Sequence, residues 1–127
     1  MNIEHIAVYV NDLESERDFF EKYFGGHSGS LYINQKTQFM SYFISFDNGA
    51  RLELMTRPDL HDNAEKSDRA GYAHIAFAVG SKEKVDSLTK RMRSDGFSII
   101  SGPGTTGDGY YESCIEDTEG NRIEITI

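Results

Sequence analysis

Within residues 3–10 the aliphatic residues Ile6, Val8 and Val10 recur at every second position, and this period of two predicts a strand with one aliphatic face. The period then lengthens to that of a helix, which Asn11 or Asp12 can cap and which Gly25-Gly26 ends. The residues predicted to face the core from this helix are Leu13, Phe20 and Phe24.

Alternating segments follow the helix at about 28–34, 38–47 and 50–56. The turn Asp47-Asn48-Gly49 lies between the last two and is typical of a β-hairpin. The first part of the chain therefore predicts a strand, a helix and three further strands, a βαβββ unit.

The second part predicts the same order of elements. A strand over 72–79 precedes a helix that begins after Ser81 and ends before Gly96, followed by strands near 97–101, 110–117 and 121–127. Val85, Leu88 and Met92 are the helical positions expected to face inward.

The two parts also resemble each other residue by residue. Residues 4–10 parallel residues 73–79, each with a histidine at the second position, and residues 49–54 parallel 120–125, each with Gly, Arg, an aliphatic residue and Glu at the same offsets. This repeat predicts an α+β fold of two tandem βαβββ modules that form a cupped mixed sheet.

The length of 127 residues fits one domain. Module 1 is expected at about 1–56 and module 2 at about 71–127. Residues 57–70 are rich in charge and have little to bury, so they predict an exposed linker.

Strand alternation places four chemically useful side chains opposite the aliphatic faces: His5, Glu53, His74 and Glu124. If the aliphatic faces pack on the helices, two imidazoles and two carboxylates line the concave side. Such a set suits one divalent ion, Zn, Ni, Co, Mn or Fe(II), and leaves positions for water or substrate, as catalytic sites do.

Each of these residues also has a simpler interpretation. A lone strand histidine is more often hydrogen-bonded than metal-bound, a lone glutamate is usually solvated, and a duplicated fold can keep the repeat without the metal. The repetition favours the metal site. His27 and His61 have no such counterparts and are assigned to the surface.

The composition of the chain disfavours two classes of binding partner, nucleic acids and membranes. A net charge of −8 disfavours nucleic acid, and no apolar run is long enough to span a bilayer, so a cytoplasmic protein is expected. Cys114 is the single cysteine, which precludes an intrachain disulfide, and we expect it to be a small buried hydrophobe in a strand.

Three segments resemble the vicinal oxygen chelate superfamily, and within it glyoxalase I, or lactoylglutathione lyase, over the whole chain. They are Glu4–Val8 with Asn11-Asp12-Leu13, Tyr72–Phe77, and Asp117–Glu124. The resemblance implies that His5, Glu53, His74 and Glu124 are the metal ligands. Extradiol dioxygenases and fosfomycin-modifying relatives generally lack a carboxylate at the position of Glu53, so its presence favours the glyoxalase branch.

The resemblance also implies a reaction, the isomerisation of a 2-oxoaldehyde–thiol hemithioacetal to a 2-hydroxyacyl thioester through a metal-stabilised ene-diolate, as in methylglyoxal detoxification. It implies Glu124 as the catalytic base, with Glu53 as the symmetry-related alternative.

Two positions depart from the family's glutathione contacts. Bacterial glyoxalase I enzymes commonly have Arg and Asn where this chain has Tyr9 and Arg57, which leaves the thiol open. Arg57 can contact a substrate carboxylate or be a solvated charge.

The segment Gly102–Gly109, followed by Tyr110 and Tyr111, predicts either a mobile flap with the tyrosines at its rim or a hairpin connection.

Other functions stay open on the same pattern. A dioxygenase or thiol transferase of the same superfamily is one, and a metal-free small-molecule binding protein is another. The apolar content of a cupped sheet predicts a homodimer, in which each site takes its ligands from one chain or from both.

Overall fold

The computed structural model describes residues 2–61 and 71–127. The chain divides into two compact units, Met1–Ala64 and Glu65–Ile127, which we call module 1 and module 2. Most of the expected linker, residues 62–70, lies outside the described residues. Neither described helix is long and apolar enough to cross a membrane.

Module 1 contains one helix and five strands within its described part. They are β1 (His5–Tyr9), α1 (Leu13–Phe24), β2 (His27–Ser28), β3 (Tyr32–Ile33), β4 (Met40–Ser45) and β5 (Arg51–Thr56). The sheet order is β1-β5-β4-β2, with β3 also paired to β4. β1 runs parallel to β5, and β4 forms the predicted hairpin with β5.

Helix α1 begins and ends where the sequence predicts. The Asp12 side chain accepts a hydrogen bond from the Ser15 amide at 2.9 Å, and Gly25 takes the left-handed conformation with φ of 64° that ends the helix. Leu13 and Phe20 are buried as expected, whereas Phe24 is only half-buried. Two residues not assigned to the inner face, Phe19 and Tyr23, are buried instead.

The single strand expected at 28–34 is two short strands, because the chain carries an extra residue opposite β4. Ser28 pairs with Ile44 and Tyr32 pairs with Ser41, so three residues of this edge face two of β4. Such a bulge breaks the ladder and bends the edge of the sheet. Sequence periodicity does not register a one-residue insertion in so short a segment.

Module 2 repeats the plan with β6 (Ile75–Ala78), α2 (Lys82–Ser94), β7 (Ile99–Thr105), β8 (Tyr111–Glu116) and β9 (Arg122–Thr126). Its sheet order is β6-β9-β8-β7, with β6 parallel to β9. The predicted α+β class is therefore confirmed, with a separate mixed sheet in each module.

Helix α2 is capped by Ser81 and packs on β8 through a mixed apolar and polar stripe. Val85 and Met92 are buried as predicted, but Thr89 is buried where Leu88 was expected. The Thr89 hydroxyl lies 2.6 Å from the Ser113 hydroxyl of β8 and donates to the Val85 carbonyl oxygen at 2.7 Å. These hydrogen bonds allow a polar residue to occupy the buried position.

The hairpin alternative, not the flap, describes Gly102–Gly109. Strand β7 continues to Thr105, and Gly104 and Thr105 pair with Glu112 and Tyr111 of β8. The remaining turn is closed by the Thr106 amide donating to the Tyr110 carbonyl at 2.8 Å. Tyr111 does not form a rim, because its hydroxyl donates to Asp86 of α2, on the helix side of the sheet.

The turn between β8 and β9 is organised by Asp117. Its buried carboxylate accepts hydrogen bonds from the Glu119 amide at 3.0 Å, the Asn121 amide at 2.8 Å and the Asn121 side chain at 2.9 Å. Burial nevertheless raises the pKa of Asp117, against the lowering effect of these donors. This turn fixes where strand β9 begins.

The raised pKa predicts a pH-dependent contribution to stability. The folded state holds the Asp117 proton to higher pH than the unfolded chain does, so this contribution is complete below the ordinary carboxyl pKa and is lost as pH rises through the folded pKa. Between about pH 3 and 7, the free energy of unfolding of the wild type should fall relative to that of Asp117→Asn. Urea denaturation at several pH values measures this difference.

Asp47→Asn, which removes a carboxylate from the exposed β4–β5 turn, is the control for the loss of one charge. A free energy of unfolding of the wild type that rises with pH relative to that of Asp117→Asn would contradict the prediction, because it would mean that the three donors outweigh burial.

Candidate functional site

The side of each sheet opposite its helix, here called the open face, carries all four candidate ligands. Along β5, Leu52 and Leu54 are buried while Glu53 between them is half-buried, and Ile123, Glu124 and Ile125 repeat this in β9. His5 and His74 are both exposed. Burial of the aliphatic side chains therefore confirms the predicted faces.

In module 1 the structure brings His5 and Glu53 together. β1 pairs with β5 in parallel, so that Ala7 lies beside Glu53 and His5 lies beside Arg51. The His5 Nε2 atom is 3.9 Å from the Glu53 carboxylate. The two side chains are 40% and 15% exposed, which leaves the imidazole accessible and the carboxylate largely sheltered.

His5 has further neighbours that sequence reasoning did not assign to the site. The Glu4 carboxylate hydrogen-bonds the Nδ1 atom of His5, and the Phe43 ring packs edge-on against the imidazole with centroids 5.3 Å apart. Arg51 donates through Nε to Glu4 at 2.7 Å and lies 4.2 Å above the Phe43 ring. Hydrogen bonds from His5 and Arg51 lower the pKa of Glu4.

In module 2 the structure brings His74 and Glu124 together. The His74 Nε2 atom lies 3.0 Å from the Glu124 carboxylate, which is 21% exposed. Ala76 and Cys114 flank Glu124 on the neighbouring strands. Cys114 is half-buried, not buried as expected, and it lies on the open face. Burial, followed by the charge of Glu124, raises the pKa of its thiol.

Glu112 is a site-facing residue that the sequence analysis missed. It is half-buried and precedes Cys114 by two positions on β8, and therefore lies on the same face. Burial, followed by the negative charges of Glu124 and Asp108, raises its pKa. Alternation along 110–117 was the available signal, since it places Glu112, Cys114 and Glu116 together.

Each pair can share one ion. Two donor atoms that each lie about 2.0–2.2 Å from a metal can be up to about 4 Å apart, and the observed 3.9 and 3.0 Å fall within that limit. Over residues 2–61 and 71–127, no group of three or more His, Cys, Asp or Glu side chains is placed to hold a metal. Each His–Glu pair thus offers two donors that fit a divalent ion, and is here called a half-site.

The remaining residues singled out from the sequence, Arg57, His27 and His61, do not contact the two His–Glu pairs in the described contacts. Arg57 meets a carboxylate in bidentate fashion, but it is that of Asp59 in the same chain, with both contacts at 2.5 Å. Hydrogen bonds to the side chains of Asp59 and Tyr9 raise the pKa of Arg57 above its ordinary value. A substrate carboxylate would have to displace Asp59. His27 and His61 are exposed, as predicted.

Comparison with known proteins identifies similar chains over the full length. The family model described as the Glyoxalase/Bleomycin resistance protein/Dioxygenase superfamily matches residues 2–125. The uncharacterized protein YqjT of Bacillus subtilis (strain 168) is 27% identical over 135 residues, which cover 97% of this chain and 96% of that protein.

Solved structures share the fold. A possible glyoxalase from Bacillus cereus has a TM-score of 0.73 and 26% identity, covering 100% of this chain and 99% of its own. The trypanothione-dependent glyoxalase I of Leishmania major has a TM-score of 0.76 and 21% identity, covering 99% of this chain and 86% of its own.

The environment of Cys114 predicts slow alkylation. The thiolate is the reactive form, so the single cysteine should react slowly with iodoacetamide at neutral pH, and Glu124→Gln should lower its pKa and speed the reaction. The rate of alkylation as a function of pH, followed by mass spectrometry, measures this.

Glu116→Gln is the matched control, because Glu116 lies on the same strand face and raises the Cys114 pKa least among the neighbouring carboxylates. Equal rates for wild type and Glu124→Gln would show that Glu124 does not face the thiol.

Proposed function

Because the chain belongs to the Glyoxalase/Bleomycin resistance protein/Dioxygenase superfamily, we propose that it is a metal-dependent enzyme of the glyoxalase I type. It converts the hemithioacetal of a 2-oxoaldehyde and a thiol to a 2-hydroxyacyl thioester. The observation that carries this proposal is the matching His–Glu pair on the open face of each module.

The proposed ligands are His5, Glu53, His74 and Glu124. Each module supplies one imidazole and one carboxylate, so the complete set needs both modules. This mixed set suits Zn, Ni or Co, and also Mn or Fe. When bound, the ion supplies Lewis acidity that polarises the oxygens of the substrate.

The proton is moved by a carboxylate of the chain itself. Glu124, with Glu53 as the alternative, takes the proton from the carbon that bears hydrogen and returns it to the neighbouring carbon. Both carboxylates are half-buried and lie on open faces, which shelters them from bulk water and leaves them accessible to a substrate.

The thiol of the substrate stays open, because two usual glutathione contacts are replaced. Tyr9 and Arg57 occupy the positions of the usual contacts, and Arg57 is engaged by Asp59. The names of two solved relatives refer to different thiols. The one from Leishmania major is trypanothione-dependent, and the one from Agrobacterium tumefaciens is a lactoylglutathione lyase. A different thiol is consistent with this variation.

Two other functions have specific support. Two histidines and one of the two carboxylates form the set used by non-haem iron dioxygenases, and oxygen uptake would reveal that activity. The superfamily also includes bleomycin resistance proteins, which supports a metal-free small-molecule binding protein. Metal analysis separates this last function from the other two.

The protein is also proposed to act as a homodimer in the cytoplasm, without nucleic acid or membrane partners. In a dimer each site can take His5 and Glu53 from one chain and His74 and Glu124 from the other. The excess of 21 acidic over 13 basic residues supports the exclusion of nucleic acid.

Metal content tests the proposed ligands. The wild type should hold about one ion per site, and Glu53→Ala should lose at least about tenfold in affinity and, with it, thioester formation from methylglyoxal hemithioacetals. Mass spectrometry of bound metals and absorbance of the thioester measure the two effects.

His27→Ala removes an exposed histidine of β2, which lies two strands away from Glu53 in the sheet, and should bind metal like the wild type. A wild type that takes up no metal after reconstitution would reject the mechanism and leave the binding protein as the better hypothesis.

Mixing two defective variants tests whether sites are shared between chains. If they are, a hybrid of His5→Ala and His74→Ala has one intact site, and a randomly mixed sample should recover about one quarter of the wild-type metal content and activity. Sites formed within one chain would recover neither. Refolding the variants together and separately provides the comparison.

A further inference from the structure

The two modules differ in the residue that precedes the histidine. Glu4 precedes His5, whereas Ala73 occupies the equivalent position before His74. The arginines at the start of the glutamate strands, Arg51 and Arg122, are present in both modules. A carboxylate on the residue immediately before the histidine is therefore a property of module 1.

In module 1 the Glu4 carboxylate has two hydrogen-bond partners, the imidazole of His5 and the guanidinium of Arg51. Glu4 hydrogen-bonds the Nδ1 atom of His5, and Arg51 donates to Glu4 through its Nε at 2.7 Å and through a second guanidinium nitrogen. The Arg51 main chain is fixed as well, since its amide donates to the Glu4 carbonyl at 2.9 Å. Glu4 is thus held in place from the strand that carries Glu53.

The imidazole ring is also held by Phe43. The two rings meet edge to face at 81°, with centroids 5.3 Å apart, and Arg51 packs on the Phe43 ring at 4.2 Å. Arg51 therefore connects both groups that contact His5. In module 2 the position equivalent to Phe43 is Cys114, which offers no ring.

A carboxylate at one nitrogen of a neutral histidine has a defined chemical effect. It accepts the hydrogen of Nδ1 and so leaves the lone pair on Nε2. In this structure the Nε2 atom is the one directed towards Glu53. Carboxylates hydrogen-bonded to metal-binding histidines act in this way, and they raise the basicity of the ligand.

We propose that Glu4, held by Arg51, is a positioning residue that keeps His5 in the Nδ1–H tautomer with its Nε2 lone pair directed towards Glu53. The inference rests on the proposed function, because it takes His5 to be a metal ligand. It makes module 1 the preorganised half-site, whereas His74 of module 2 depends on its direct contact with Glu124.

The alternative is that Glu4 and Arg51 form an ordinary surface ion pair. Their side chains are 62% and 40% exposed, and ion pairs so exposed contribute little to stability. An ion pair of that kind would leave the tautomer of His5 unchanged when Glu4 is removed. The two interpretations therefore differ in a property of His5 that does not depend on stability or on activity.

The first experiment measures the tautomers without metal. Long-range proton–nitrogen NMR spectra of the full-length protein with ¹⁵N-labelled histidine, recorded near pH 8.5 where imidazoles are neutral, distinguish a protonated Nδ1 from a protonated Nε2. His5 should be Nδ1-protonated in the wild type and should shift to a mixture or to the Nε2–H form in Glu4→Ala. Glu4→Gln keeps an acceptor oxygen and should lie between them.

His74 is the internal control in the same spectra, since it belongs to the other module and should not change. The amide spectrum of each variant reports whether the fold is intact. An identical His5 tautomer in wild type and Glu4→Ala would overturn the proposal.

The second experiment measures zinc affinity by competition with a chromophoric chelator. Glu4→Ala should bind zinc about 10–100-fold more weakly than wild type, and Asp47→Ala, which removes another exposed carboxylate of module 1, should bind like wild type. Equal affinity of Glu4→Ala and wild type would overturn the positioning role.

The two experiments separate the failure of this inference from that of the proposed function. A wild type that binds no zinc rejects the metal enzyme, while the tautomer spectra still decide whether Glu4 orients His5. Zinc binding by the wild type with no effect of Glu4 on tautomer or affinity keeps the enzyme and rejects the positioning role.

Discussion

Burial of aliphatic side chains between each sheet and its helix is the constraint on which the rest of the structure depends. Leu52 and Leu54 in β5, and Ile123 and Ile125 in β9, have almost no exposed surface. Since neighbouring residues of a strand point to opposite sides, this burial forces Glu53 and Glu124 onto the open faces. A one-residue slip in either strand would exchange a ligand for a leucine or an isoleucine.

The repeat provides the donors, and the differences between the modules set their surroundings. Around His5 the open face is aromatic and cationic, with Phe43 and Arg51, and a second carboxylate fixes the imidazole. Around Glu124 the face carries a thiol and a further carboxylate, Glu112. The two modules therefore share the His–Glu pair but differ in the side chains that surround it.

Intrachain ion pairs have a further consequence for substrate recognition. Arg51 is engaged by Glu4 and Arg57 by Asp59, so a negatively charged substrate that used either arginine would have to break an existing contact. Both pairs are exposed and contribute little to stability, which makes such an exchange energetically possible. The thiol specificity of the enzyme proposed here then depends on whether the substrate's carboxylates compete with those of the chain.

The sequence by itself determined the α+β class, the βαβββ order and the faces of His5, Glu53, His74 and Glu124, because these depend on local periodicity and on the repeat. It also located the helix starts, at Ser81 and at either Asn11 or Asp12, of which the structure selects Asp12. Only the tertiary structure decided the features that depend on contacts between strands and helices distant in sequence. The bulge between β2 and β3, the extension of β7 into the glycine-rich segment and the burial of Thr89 depend on register and on partners in other strands. The neighbours of His5 are of this second kind, since Arg51 and Phe43 are distant in sequence and reach the imidazole only when β1, β5 and β4 pair side by side.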